Sequence, residues 1–479
     1  KRMVMMKNIL ATILILSAIL SYSPAIAKPE SVMQMVNEAV KEYFSDEGLR
    51  KEYESEITRN SDGSYTLNHN GMSMRFMIDR KGKPGINGKY PLYITLHGGG
   101  GAPHEENDSQ WREMFTYYKS SVKDGIYIAC RGISDTWDLH FQEDSYPLYD
   151  RLIQSMIYTY NADPNRVYLL GFSAGGDGVY QILPRMADRF AAGNMSSGHP
   201  NGVSLVNLAN CPISIQAGIR DYYSRSASRS VRAAEFDGIL TNYRKRYGFG
   251  YEHRVCIHVP AGHNFPDNDT SAKSYVIEAP SKFAANGGRM LDDFISALGD
   301  YDGDDDEKIS AVSYIPPYDD AFNRAVTDIV TKKYKLKLKR SNTDAVQYVS
   351  QFTRNPLPEK IVWDLSTRAT RRMTNSFYWL QADMNTSKGT ITASINRATN
   401  TITINPEKVN GDFSILICPQ IIDVSKRINV ATPKGKYSVT VKPSREMIYE
   451  SLMDRGDPNF AYVGKISYSE LQDISRKKQ

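Results

Sequence analysis

Through the middle of the chain, short apolar runs recur: YITL at 93–96, VYLL at 167–170, ISIQA at 213–217 and the alternating RVCIHV at 254–259. Each ends at a glycine-containing turn, and stretches of helical character lie between them. Apolar runs of this length, bounded by turns, predict strands buried on both faces. Their alternation with helices up to residue 298 predicts an α/β fold, a mostly parallel sheet covered by helices. Before it, TLNHNGMSMRFMID at 66–79 alternates around Gly71 and predicts an opening antiparallel hairpin. Residues 28–62 are charged and helix-like, with Val36, Val40 and Phe44 near helical spacing.

Beyond 298 the pattern changes. GDYDGDDDEK at 299–308 predicts an acidic, solvated linker, and its carboxylates lack the spacing of a calcium loop. A helical segment and a basic stretch carry the chain to 344. From 345 to 445, short alternating runs such as KIVWDL, GTITASI, NTITINP and YSVTVKP are separated by Gly, Pro and Asn turns. They predict a smaller C-terminal antiparallel sandwich, with 446–479 as a tail. Trp363, Tyr378 and Trp379 in this region have two readings, a platform for sugar rings or a packed core; core packing is the commoner fate.

The apolar run at 167–170 breaks abruptly into Gly-Phe-Ser-Ala-Gly-Gly, and a helix-forming segment follows. Glycines two residues either side of Ser173 are what a sharp strand-to-helix turn needs, because side chains there would strike neighbouring backbone. Such a turn lifts a serine hydroxyl above the sheet edge, and the first N–H groups of the helix favour negative charge beside it. A nucleophilic serine of this kind needs an acid and a histidine, in that chain order, just past later strands. Asp221 follows the strand at 213–217, and His263 follows Gly262 after the strand at 254–259. In these roles His263 accepts the serine proton and Asp221 orients its ring. His253 and His258 lie within the strand leading to His263, at its far end and in its wall. Asp237 falls in a helix, and Asp267 and Asp269 come after the histidine.

The run from HGGGG at 97–101 through GFSAGGDGVYQ and GIRD to AGHNFP resembles the α/β-hydrolase superfamily. Within it the chain is similar to secreted esterases of the polyhydroxybutyrate-depolymerase and feruloyl-esterase-like group, over 63–298, about half the chain. The resemblance implies a carboxylic ester hydrolase working through an acyl-enzyme, without cofactor or metal. It also implies an oxyanion hole from Gly99 or Gly100 together with Ala174. The implied substrate is a small-molecule or polymeric ester, such as acyl groups of polysaccharides or polyesters. The elbow is also similar to that of prolyl-oligopeptidase-like peptidases, and a non-catalytic carbohydrate-binding protein on the same fold is a third reading. Trp137, His140 and His199, on loops past core strands, are expected to contact substrate, with Trp111 a weaker candidate.

At the amino end, Lys1, Arg2 and Lys7 precede an apolar run at 9–20, and Ala25-Ile26-Ala27 fits a cleavage site. This predicts a secretory signal over 1–27, since the run is shorter than the roughly twenty residues of a spanning helix. The expected protein is secreted or periplasmic, with no stable membrane insertion after cleavage. Its formal charge falls from +5 to +2 on loss of those three residues, and no basic tract points to nucleic acid. Four cysteines, Cys130, Cys211, Cys256 and Cys418, are expected as buried free thiols, without metal-ligand spacing.

Overall fold

In the computed structural model, residues 29–476 are described, apart from 272, 317 and 369–374. The expected signal segment lies outside them. An eleven-stranded sheet runs in the order β1-β2-β3-β5-β4-β6-β7-β8-β9-β10-β11. Its strands are β1 Ile57–Arg59, β2 Tyr65–His69, β3 Met72–Lys81, β4 Tyr90–Leu96, β5 Gly125–Cys130 and β6 Ala162–Phe172. The rest are β7 Ala192–Ser196, β8 Ile213–Gly218, β9 His253–Val259, β10 Lys273–Ile277 and β11 Leu338–Asn342. From β5 to β9 the strands are parallel, and antiparallel strands flank them on both sides. Every residue of β5, β7 and β8 is buried, as continuous apolar runs in the middle of a helix-covered sheet require. The β2–β3 hairpin turns at Asn70 and Gly71, both with positive φ, the conformation that lets a two-residue loop follow the strand twist.

The sheet is wider than the pattern of the sequence predicts. It begins at residue 57 instead of 63, and its last strand lies at 338–342, past the boundary expected at 298. The intervening stretch is folded. Asp304 and Glu307 form a reciprocal capping box on helix Asp305–Tyr314, and Asp305 pairs with Arg225 at 2.5 Å. The acidic run therefore caps a helix instead of forming a solvated linker.

Helices α1 Pro29–Ser45 and α2 Glu47–Ser55 pack on the helix at Ser145–Thr159, where Tyr43 and Tyr53 meet Tyr158. The buried stripe of α1 is Val32, Val36, Ala39 and Tyr43, while Val40 and Phe44 sit at its edge. Helices α3 His104–Tyr117, α4 Ser145–Thr159, α5 Ala174–Arg185 and α6 Arg229–Tyr247 connect the parallel strands, and α7 Asp305–Tyr314 follows the last of them.

Residues 360–467 form two further sheets, of five and four strands. The first, with β12 Lys360–Asp364, β15 Thr390–Asn396, β16 Thr401–Glu407, β18 Ile428–Thr432 and β19 Gly435–Val439, is antiparallel except where β16 meets β18. The second holds β13 Ser376–Phe377, β14 Leu380–Ala382, β17 Phe413–Ile417 and β20 Gly464–Ser467. β20 and helix α8 Arg445–Arg455 belong to what the sequence suggests is a tail. The strand covers the otherwise open edge of β17, and the helix packs on α1 through Arg445 and Glu42 at 2.5 Å. Trp363, Tyr378 and Trp379 are buried, so they are core and not a sugar platform. All four cysteines are buried free thiols.

A buried ionic network joins this β-rich region to the large sheet. Arg354 donates to Asp457 at 2.6 Å and to the Asp188 carbonyl at 2.7 Å, Arg455 pairs with the Asp188 carboxylate, and Arg189 bonds Asp150 at 2.5 Å. Removing one partner strands a desolvated charge. Arg455→Ala is expected to destabilise the fold by about 3–5 kcal/mol, measured by urea unfolding against the parent chain.

Candidate active site

Strand β6 ends at Phe172, and the chain turns through Ser173 with φ 56° and ψ −120° straight into α5. That conformation is strained for a residue with a side chain, and glycine neighbours make room for it. A Cβ on Gly175 would lie 2.0 Å from the Leu96 carbonyl oxygen, and one on Gly171 would lie 2.1 Å from that of Gly175. The Ser173 N–H donates to the Ser196 carbonyl at the end of β7, which pins the turn to the next strand.

His263 sits past β9 with its ring between two side chains. Nε2 is 3.0 Å from Ser173 Oγ, and Nδ1 is 3.0 and 3.1 Å from the two oxygens of Asp221, which follows β8. Asp221 is fully buried. Burial raises its pKa, but the His263 ring and the Arg229 guanidinium at 3.3 Å outweigh this and hold the carboxyl below its usual range. A hydroxyl facing a ring nitrogen, with a carboxylate behind the ring, is an arrangement in which a proton can leave the hydroxyl without free charge appearing in the interior.

Both loops are gripped by the end of α7. The Ser313 carbonyl accepts the His263 N–H at 2.8 Å, while its hydroxyl donates to the Tyr222 carbonyl at 2.7 Å and accepts the Tyr222 N–H at 3.0 Å. Arg220 donates to the carbonyls of Val312, of Ile315 at 3.1 Å and of Pro260 at 2.7 Å, closing the last turn of α7. On the other side, Ser197 donates to the His263 carbonyl at 2.6 Å. Asp267, placed after the histidine, accepts hydroxyls from Ser196, Tyr117 and Tyr118, anchoring the outgoing loop. Nothing local in the sequence marks Ser313 or Arg220 for this task.

Past β4, Gly98 packs against Ser173, since a Cβ there would lie 3.4 Å from the serine Cβ. The Gly100 N–H does not face the site: it donates to Asn107 Oδ1 at 2.8 Å. Asn107 is buried in the first turn of α3 and also bonds the Ala102 carbonyl and Asp135. Of the expected pair, Gly99 therefore keeps its N–H, as does Ala174 at the start of α5, and neither finds an acceptor among the described residues. Gly100 instead gives close packing against Ala174 and Leu139.

His97 and His140 brace this loop from below. His140 Nε2 donates to the His97 carbonyl at 2.9 Å, and His97 Nε2 accepts the Gly132 N–H at 3.0 Å. Burial depresses both rings, His97 to about 3, so both are neutral. His140 is completely buried and does not contact substrate, contrary to expectation, because α5 covers it where Gly178 leaves space. Trp111 is likewise buried, its indole N–H on the Ala129 carbonyl. Trp137 differs: it is 58% exposed, stacks edge-on against Phe141, and its carbonyl lies beside Gly100. His199 is half-buried; its N–H donates to Asp177 at 2.6 Å and its ring bonds Asn201 at 2.8 Å.

A serine turn on the middle strand β6, a glycine loop after its neighbour β4, and acid and histidine loops after β8 and β9, beyond β7 on the other side, define the architecture. The chain has the α/β-hydrolase fold. No family model matches it. The chain is similar to the bifunctional acetylxylan esterase/xylanase XynS20E of Neocallimastix patriciarum, 28% identical over 161 residues, 33% of this chain and 22% of that protein. It thus spans about a fifth of that relative's length. Among solved structures it is similar to LpqC, a poly(3-hydroxybutyrate) depolymerase from Bordetella parapertussis, with 15% identity, TM-score 0.34 and coverage of 54% of this chain and 95% of that one. Est1E from Butyrivibrio proteoclasticus is 12% identical, with TM-score 0.28 and coverage of 48% and 97%.

His258, stacked on Phe265 behind the His263 loop, is also buried and depressed to about 3. Its folded pKa lies below the unfolded value near 6.5, so the unfolded chain binds more protons between pH 6.5 and 3, and stability is lost as pH falls through that window. Each such histidine contributes up to about 1.4 kcal/mol per pH unit. Urea unfolding between pH 6.5 and 5 is expected to show this slope, flattened in His258→Gln.

Proposed function

We propose that this protein is an exported serine hydrolase that cleaves carboxylic esters through an acyl-enzyme, with acyl groups of a polysaccharide or its fragments as substrate. The observation that carries the reading is the His263 ring, within 3.0 Å of both Ser173 Oγ and Asp221. Ser173 Oγ attacks the acyl carbon as its proton passes to His263 Nε2, and Asp221 steadies the imidazolium. The carbonyl oxygen, now negative, takes hydrogen bonds from the N–H groups of Gly99 and Ala174. Collapse breaks the ester bond, and the alkoxide leaves with the His263 proton. Water then gives a proton to His263 and attacks the acyl carbon; the acid departs and Ser173 recovers its hydrogen.

The acetylxylan esterase activity in the name of the similar Neocallimastix patriciarum protein supports an ester on a sugar as substrate. Export rests on the signal-like segment at 1–27. Among the described residues no helix is long and apolar enough to cross a membrane. The hydrolase unit takes in residues 57–342, wider than the motifs alone suggest, with the β-rich region behind it. The carbohydrate-binding reading loses its main support with the burial of Trp363, Tyr378 and Trp379.

Fluorophosphonate is expected to label the protein and not Ser173→Ala, whose turnover of p-nitrophenyl acetate falls by about six powers of ten. An unlabelled parent protein would refute the reading, and aryl-amide hydrolysis at the ester rate would move it to a peptidase. Asn107→Ala releases the Gly100 amide and loosens the loop that carries Gly99. It is expected to lower kcat by about tenfold, less than the two to three powers of ten for an oxyanion donor itself, with KM nearly constant in steady-state assays.

A further inference from the structure

We propose that the exposed face of Tyr314, with Tyr223 and Arg229 beside it, is a subsite for the sugar ring that carries the ester, on the leaving-group side of Ser173. The proposal rests on the ester-hydrolase reading above. In that reading His263 hands its proton to the departing alcohol, so the alcohol portion must lie against the His263 edge of the site. The surface met there is Tyr314, the last residue of α7, whose ring centroid is 5.2 Å from that of His263 and which remains 52% exposed.

Its neighbour Ser313 makes the contacts that grip the two loops, so the clamp accounts for Ser313 and leaves the large ring of Tyr314 turned to solvent. Arg229 continues the strip. Its guanidinium is held by Asp221 at 3.3 Å, lies beside the Tyr314 side chain and covers the Tyr223 ring at 5.3 Å, while Tyr223 is itself 71% exposed. Two exposed rings with a guanidinium between them, next to a buried polar site, match one kind of ligand well. A pyranose has an apolar C–H face that stacks on an aromatic ring and a rim of hydroxyls that accept from a guanidinium. A plain alkyl alcohol would offer no hydroxyl rim to the N–H groups of the guanidinium that Asp221 does not engage. Because Asp221 already meets the charge of Arg229, the strip favours neutral sugars over uronic acids. Trp137, beside the Gly100 backbone, belongs to the oxyanion side and is not part of this strip.

The test uses the full chain, acetylated xylo-oligosaccharide and ethyl acetate, with acetate release as the readout. In Tyr314→Ala the ratio of kcat/KM for the sugar ester to that for ethyl acetate is expected to fall about tenfold, chiefly through KM. Tyr223→Ala, which does not touch His263, gives a smaller fall in the same ratio, and Tyr314→Phe keeps it. Equal losses on both esters would mean that Tyr314 only supports His263, and would overturn the subsite. Calorimetric titration of Ser173→Ala with the same oligosaccharide separates the two readings. Binding weakened about tenfold by adding Tyr314→Ala upholds the subsite even if the parent protein hydrolyses neither ester, which would sink the hydrolase reading alone. Binding indifferent to Tyr314, in a protein that does hydrolyse ethyl acetate, would sink the subsite alone.

Discussion

Helix α5 can begin where it does because Gly175 and Gly176 in its first turn have no side chains to hold it away from the strand ends beneath. The Leu96 carbonyl at the end of β4 and the Ser196 carbonyl at the end of β7 both approach that turn within distances that a Cβ on Gly175 or Gly176 would violate. This close approach places the Ser173 hydroxyl and the Ala174 N–H at one point, and sets the glycine loop after β4 directly against them. The strained backbone of Ser173 is held by the hydrogen bond to Ser196 and by the weight of packing on both sides. Loosening the approach would cost the geometry of every other group at the site.

The opposite wall is built by a different device. The loops carrying Asp221 and His263 come from adjacent strands and touch directly, with the Arg220 N–H on the Ala261 carbonyl at 3.2 Å and Gly218 close against the Gly262 carbonyl. It is α7, returning from a segment that looks like a linker, that fastens both. One serine, Ser313, touches the backbone of each loop, and Arg220 ties the end of the same helix to Pro260. The carboxylate Asp267 then anchors the chain as it leaves His263, its three hydroxyl donors coming from two other elements. Orientation of the histidine is thus a property of tertiary packing, although the histidine itself stands at the end of a simple strand.

What could be read from the sequence is what local sterics and periodicity encode. The turn around Ser173 is legible because only glycine fits two residues either side, and Asp221 and His263 are legible because each closes an apolar strand. The parallel core and the hairpin at Asn70 and Gly71 follow from the same patterns. Other features depend on residues distant in the chain. That the Gly100 N–H belongs to Asn107 is a matter of how α3 docks, and His140 disappears because α5 lies on it. The extent of the sheet was hidden because β11 is a weakly apolar edge strand. The place of residues 446–476 was hidden because the open edge of β17 calls for a strand that no short-range signal announces.

The ionic network between the β-rich region and the layer built on the eleven-stranded sheet has a consequence for how this molecule can be divided. Arg354 fills a site made by Asn165 and the Asp188 carbonyl, both on the side of the eleven-stranded sheet, and the hydroxyls of Tyr93 and Tyr168 find their partners in Ser350 and Phe352. The two halves therefore share one interior and are not modular. A fragment cut free at residue 344 would carry raw interior as its outer surface, and a shuffled replacement for the C-terminal region would have to reproduce that interior residue by residue.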